Sequence, residues 1–278
     1  MRIMTEQMLG GFRGYLREEE RSDSTIEKYL RDVRSFSAWN AGQEVTRESV
    51  SLWKEYLMKD HAPKTVNSML AAVNAFFRSV GWIECRVKYL KLQQRVFRSE
   101  SKELTREEYE RLLSTARSVG RERLALLMEA VCATGIRVSE VRYITVEAAR
   151  TGRTDISLKG KIRTILLPGK LCRKLLKYAK QRNIISGEIF LTRTGRSLSR
   201  KQIWAEMKAL CILADVEPSK VFPHNLRHLF ARVFYRSCKD LAQLADVLGH
   251  SSIETTRLYL IRTGSEHQKR LDHLGLVV

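Results

Sequence analysis

Between Arg86 and Arg98 the chain carries five basic residues, Arg86, Lys88, Lys91, Arg95 and Arg98, and neither an acidic residue nor a glycine. A charged run of this kind reads as a connector rather than as core. It divides the chain into two segments that must each bury a core of their own. The 278 residues suffice for two such cores, since one domain takes roughly 150 residues. Residues 1–80 are nearly neutral, with twelve basic against eleven acidic side chains. Most of the net charge of +19 therefore lies in the connector and beyond residue 102. Such an excess favours a polyanionic partner, nucleic acid first. The connector then reads as a strap across a phosphate backbone, with Lys88, Lys91, Arg95 and Arg98 as contacts; the plainer alternative is a solvated linker.

Other classes are excluded early. No apolar run approaches the roughly 18 residues of a membrane helix, and residues 1–10 lack the apolar centre of a signal peptide. Cys85, Cys132, Cys172, Cys211 and Cys238 are spaced 47, 40, 39 and 27 residues apart, with no CxxC pair. They read as buried, reduced thiols of a cytoplasmic protein rather than a zinc or redox motif.

The first segment reads as four short helices. Ser24 with Glu27 suggests a capping box, followed by Ile26, Tyr29, Leu30, Val33 and Phe36 at helical spacing. Thr46 opens a helix carrying Val50, Trp53 and Leu57; Pro63 opens another that Gly81 stops. The second segment is mixed. Thr105 and Glu108 form a capping box, and an apolar helix runs from about Arg123 to Thr134 and breaks at Gly135. Thr154 to Leu158 and Ile162 to Leu167 read as two strands around a turn at Lys159-Gly160-Lys161, with a third expected over Glu188 to Thr192. Helices resume at Ser199, capped with Gln202. The fold class is mainly α with a small antiparallel β-sheet in the C-terminal domain.

Four segments could carry chemistry: Thr134 to Glu140, the Lys159 turn, His224 to His228, and Leu248-Gly249-His250 through Tyr259. Each has a bland reading. Arg137 could form a surface salt bridge with Glu140, and His224 and Arg227, three apart on one helix face, could be a surface cation pair. Leu241 to Leu260, with Ala245 and Gly249 four apart, could be a helix-turn-helix of a regulator. That reading leaves Arg137, Lys159 and His224/Arg227 without a role.

Taken together, the four segments resemble the tyrosine recombinase (phage integrase) family. The resemblance lies in a TGxRxSE segment, a lysine in a β-hairpin turn, an HxxRH segment, an LGH segment and a tyrosine nine residues after that histidine. They occur here in the family's order from Thr134 to Tyr259. The resemblance implies a two-domain fold, with a helical core-binding (SAM-like) domain and its basic linker over 1–98 and a catalytic domain over 99–278. It also implies catalytic roles for Arg137, Lys159, His224, Arg227, His250 and Tyr259, with Glu140 orienting Arg137.

Physical logic supports these roles. Two arginines can offer donor forks to the non-bridging oxygens of a phosphodiester, where transition-state charge collects. Tyr259 would attack to form a 3′-phosphotyrosine. Lys159 would protonate the departing 5′-oxygen. His224 and His250 would donate to the phosphate or move the tyrosine proton. Neither a metal nor another cofactor is expected, because the cations supply the charge and the phosphotyrosine keeps the bond energy. The turn is one residue shorter than the family's common GKGxKxR form, so Lys161 is the alternative acid and otherwise a DNA contact.

The expected function is site-specific DNA recombination (integration, excision or resolution, as in mobile elements) by a cytoplasmic, DNA-associated enzyme. Its partner would be double-stranded DNA gripped by a C-shaped clamp, with no membrane and no small-molecule substrate. A homo-tetramer on two DNA sites is expected, joined through a C-terminal tail carrying Leu271, Leu274 and Leu276. The alternatives are a type IB-like topoisomerase and the non-catalytic helix-turn-helix regulator.

Overall fold

Apolar residues at helical spacing dominate both segments, and both are built mainly of helices. A computed structural model describes residues 1–92, 103–158, 161–250, 252–260 and 272–273, with backbone alone for Ser157, Leu158 and Lys161. The chain divides into two compact units, 1–94 and 95–278. The domain boundary expected at 98/99 lies outside the described residues.

The first unit holds α1 (Glu6–Glu18), α2 (Asp23–Asn40), α3 (Arg47–Asp60) and α4 (Pro63–Ser79). Phe12, Phe36, Trp53, Phe76 and Phe77 meet at its centre. Phe12 stands edge-on to Phe76 at 5.4 Å and Phe36 to Trp53 at 5.1 Å, the geometry that ring quadrupoles favour. Thr46 caps α3 as expected, in a capping box completed by Ser49. The Ser24–Glu27 box does not form. Ser22 is the N-cap of α2, its hydroxyl bonding Ser24 and Thr25 rather than a backbone N–H, while Glu27 pairs with Arg13 instead.

The second unit is organised on α6 (Glu122–Thr134), which is buried along most of its length. Against it pack α5 (Arg106–Ser118), α8 (Gly169–Gln181), α9 (Arg200–Cys211) and α10 (Pro223–Cys238). Thr105/Glu108 and Ser199/Gln202 form the capping boxes read from the sequence. A short α7 (Val146–Thr151) leads into β1 (Arg153–Leu158), which pairs antiparallel with β2 (Lys161–Leu166), Ile156 opposite Arg163 and Leu158 opposite Lys161. Along β2, Ile165 is buried and Arg163 half-buried, whereas Ile162, Thr164 and Leu166 are exposed, the alternation of a strand with one covered face. The third strand does not form among the described residues. Glu188 and Leu191 make only isolated bridges, to Thr145 and Ser197, because Thr192 and Arg196 close a turn there. Finally α11 (Leu241–Leu248) packs on α10, and α12 (Ile253–Arg257) packs on α11. Cys85 and Cys211 are buried, but Cys238 is exposed at the end of α10, correcting the expectation that all five thiols are covered.

Gly135 ends α6 in the left-handed region, φ +65°, and a Cβ there would run into the Phe230 ring. Gly135→Ala is expected to destabilise the protein by about 2–4 kcal/mol, combining backbone strain with overpacking. Gly195, at φ +75° with open space around it, should cost only about 1 kcal/mol as alanine. Urea unfolding of both variants checks this; equal losses would contradict it.

Candidate active site

The TGxR glycine does more than stop a helix. With α6 ended at Gly135, Arg137 becomes the N-cap of a 3-10 helix, Val138–Tyr143, and Glu140 folds back beneath it. Glu140 is 2% exposed. One oxygen accepts from the Arg137 backbone N–H at 2.8 Å and the other from the Arg137 guanidinium at 2.9 Å. Arg163 of β2 donates to the same carboxylate at 3.2 Å. The salt bridge that offered Arg137 a bland reading thus exists, yet it leaves the Arg137 side chain 43% exposed at the rim. Its other terminal nitrogen donates to the Gly249 carbonyl at 3.4 Å.

Arg163 reaches Glu140 only because Gly249 lets it pass. Gly249 caps α11 at φ +63°, and a Cβ there would collide with the Arg163 side chain. Arg163 also donates to the Val247 carbonyl at 2.8 Å. Its position in the hairpin motif was legible, but its task was not.

Pro223 starts α10, and His224, Arg227 and His228 follow on one face of its first turns. His224 is exposed and Arg227 only 1% exposed. A guanidinium buried to that degree must find acceptors. It donates to the Gly135 carbonyl, to the Leu248 carbonyl at 2.7 Å and to His250 Nε2 at 2.9 Å. Its Nε is buried with no partner among the described residues. Burial pushes Arg227 down to about 10, with the nearby Tyr259 phenol favouring its charge. It therefore remains a cation at neutral pH.

The same contact fixes the His250 tautomer. Arginine only donates, so Nε2 accepts and Nδ1 carries the proton, donating to the buried Thr256 hydroxyl at 2.8 Å. Burial, then Arg227, Arg137 and Arg163, push His250 down to about 4.

Tyr259 is 8% exposed. Its ring lies 4.2 Å from His228, 5.2 Å from His250 and 5.3 Å from His224, centre to centre, with Arg227 5.8 Å away over its face. Arg137, Glu140, His224, Arg227, His250 and Tyr259 are thus brought to one place. Arg163, His228 and Thr256 join them without having been assigned a task. For His228 the signal was its place four residues after His224, hence on the same face. Lys159, Arg95, Arg98 and the leucines of the tail lie outside the described residues, and Lys161 is described as backbone alone. Lys88 and Lys91 are exposed on the first unit.

The helix-turn-helix reading fits poorly. Its second helix would be α12, five residues long, with Thr256 buried and tied to His250. A cationic cluster around a buried phenol defines instead a phosphoryl-transfer enzyme of the tyrosine type.

Comparison with known proteins gives the family. The profile of the Phage integrase family matches residues 102–265, and that of its N-terminal SAM-like domain matches residues 9–82. Tyrosine recombinase XerA of Thermococcus kodakarensis is 29% identical over 98% of this chain and 96% of its own length. Tyrosine recombinase XerD of Vibrio cholerae is 25% identical over 90% and 89%. Among solved structures, the Tn1549 transposon integrase in complex with transposon right end DNA superposes with a TM-score of 0.72 at 16% identity, covering 98% of this chain and 99% of that one. The chain belongs to the phage integrase family and is a site-specific DNA recombinase.

The His250 shift sets a pH dependence. In the unfolded chain this imidazole protonates near 6.5, in the folded one at about 4. As pH falls from about 6.5 to about 4, the unfolded state takes up a proton that the folded state refuses, and stability declines. Above about 6.5 the contribution is complete. Urea midpoints at pH 7 and pH 5 are expected to differ more for the parent than for His250→Gln. An equal drop in both would contradict the assignment.

Proposed function

We propose that Tyr259 cleaves duplex DNA by attacking a phosphodiester, forming a 3′-phosphotyrosyl bond as the 5′-oxygen departs with a proton. Rejoining runs the same step backwards with a second strand's 5′-hydroxyl. The observation that carries this reading is the packing of the Tyr259 ring among His224, His228 and His250 beside the buried Arg227. Arg137 and Arg227 would take the non-bridging oxygens from two sides, Arg137 from the half-exposed rim and Arg227 from beside the Tyr259 ring. His224, exposed at the start of α10, would donate to the phosphate or carry the tyrosine proton. Neutral His250 would hold Arg227 in plane. Glu140 would hold Arg137 and Arg163 without reacting.

Lys159 would be the general acid, with Lys161 the alternative. Duplex DNA as partner agrees with the Tn1549 integrase, solved with its transposon end. A tetramer joined by the segment around Leu271, Leu274 and Leu276 completes the proposal, together with a place in the cytoplasm where DNA is reached. Among the described residues, no helix is long and apolar enough to cross a membrane.

Tyr259→Phe is expected to bind a nicked suicide substrate as the parent does but to form no SDS-resistant adduct. An adduct from the variant would pass the role to another tyrosine. Cleavage is expected to survive EDTA; loss restored by magnesium would overturn the cation-only mechanism. Relaxation of supercoils without rearranged products would favour a topoisomerase instead.

General-acid help to a 5′-alkoxide is worth about 10²–10⁴-fold, and a sulfur-bridged strand leaves without it. Lys159→Ala should therefore cleave the sulfur-bridged strand normally and the natural strand poorly. Rescue of Lys161→Ala instead would exchange the two roles.

A further inference from the structure

The first half of the basic connector is not free chain. Residues 86–92 belong to no helix or strand, yet their backbone is bonded at regular intervals to the first unit. Asn74 donates to the Val87 carbonyl at 3.0 Å and accepts from the Val87 N–H at 3.2 Å. Asn67 repeats the pattern on Leu90, donating at 2.9 Å and accepting at 2.8 Å. Lys54 of α3 adds a bond to the Lys88 carbonyl at 2.9 Å. Each asparagine thus pairs with both polar groups of one residue, as a neighbouring strand would.

The spacing explains why this works. Asn67 and Asn74 are seven residues apart on α4, two helical turns, or about 10.5 Å of rise. Val87 and Leu90 are three residues apart, one turn of polyproline II, or about 9.3 Å. Arg86 enters the segment at φ −68°, ψ 140°, close to polyproline II values. A three-residue period turns Val87 and Leu90 toward α4, and it leaves Lys88 and Lys91 together on one outer edge. Tyr89 and Leu92 share the other, 49% and 40% exposed. A β-strand, with its period of two, would have set the two lysines on opposite faces.

We propose that Lys88 and Lys91 form a single phosphate-gripping edge, and that Asn67 and Asn74 are the positioning residues that set its pitch by measuring one polyproline turn against two turns of α4. This rests on the reading that the connector meets DNA. It adds that affinity there depends on fixed spacing as well as on charge. Two lysines whose backbone positions lie about 9 Å apart on a bonded edge can engage two phosphates of one backbone without the ordering cost of a loose linker. The lysines touch DNA; the asparagines act through them.

The test is the salt dependence of the full-length protein's binding to a generic DNA duplex, where each phosphate contact adds about 0.9 to the slope of log affinity against log salt. Lys88→Ala/Lys91→Ala is expected to lower the slope by about 1.8. Asn67→Ala/Asn74→Ala, which removes no charge, is expected to lower it by at least about 1. Should that pair unfold the first unit, Lys88→Tyr/Tyr89→Lys decides. It keeps net charge and both asparagines, moves one ammonium to the other edge, and is expected to lower the slope by about 0.9. If the lysine pair lowers the slope but a folded asparagine pair and the swap do not, charge alone matters and positioning is overturned. If the lysine pair changes nothing, the connector is not a DNA contact, and the premise falls with the proposal.

Discussion

A guanidinium buried in the second unit holds the candidate site together. Arg227 is 1% exposed, and it offers its donors to the end of α6, the end of α11 and the imidazole after α11. The end of α6 and the end of α11 are far apart in sequence, and Arg227 ties them together. Because a buried cation without acceptors is costly, the carbonyls of Gly135 and Leu248 are held where Arg227 needs them. Arg137 follows the first of these and His250 the second, so one buried charge fixes where both side chains start. Glu140 plays the complementary part, a buried anion shared by Arg137 and Arg163.

The cluster is electropositive enough to explain its protonation states. Burial first, and then three guanidiniums, keep His250 neutral, while the Tyr259 phenol favours the Arg227 charge. A negative phosphate entering this cluster would relieve the mutual repulsion of cations, so binding and reactivity share one electrostatic origin. The first unit solves a different problem with neutral groups. Its asparagines satisfy the backbone of a segment that makes no ladder of its own, and so give a basic stretch definite geometry.

Much of this was legible in the sequence because the motifs are local. Thr134 to Glu140 carries a helix stop, an arginine and its carboxylate partner within seven residues, and His224 to His228 is one helical face. The capping boxes at Thr105 and Ser199 were equally plain. What escaped depended on distant partners. Glu27 could have closed a box with Ser24, but Arg13 lies one helix away and draws it off. Arg163 reads as one more cation of a basic hairpin until Gly249, 86 residues later, opens its path to Glu140. Glu188 to Thr192 has strand-like composition, but a turn at Thr192 leaves it with two isolated bridges. Asn67 and Asn74 look like ordinary polar positions on α4 until the chain returns past them at Val87 and Leu90.

Arg227 is a structural hub as well as a proposed phosphate ligand, whereas Arg137 sits at the half-exposed rim. Urea unfolding of Arg227→Lys and Arg137→Lys in the absence of DNA separates the two. Lysine cannot reproduce a planar fork, and each lost bond to a charged donor is worth about 1.5–3 kcal/mol. Arg227→Lys should therefore lose more than about 3 kcal/mol of stability, while Arg137→Lys, at the exposed rim, stays within about 1 kcal/mol of the parent. Equal stability in Arg227→Lys and the parent would contradict the account.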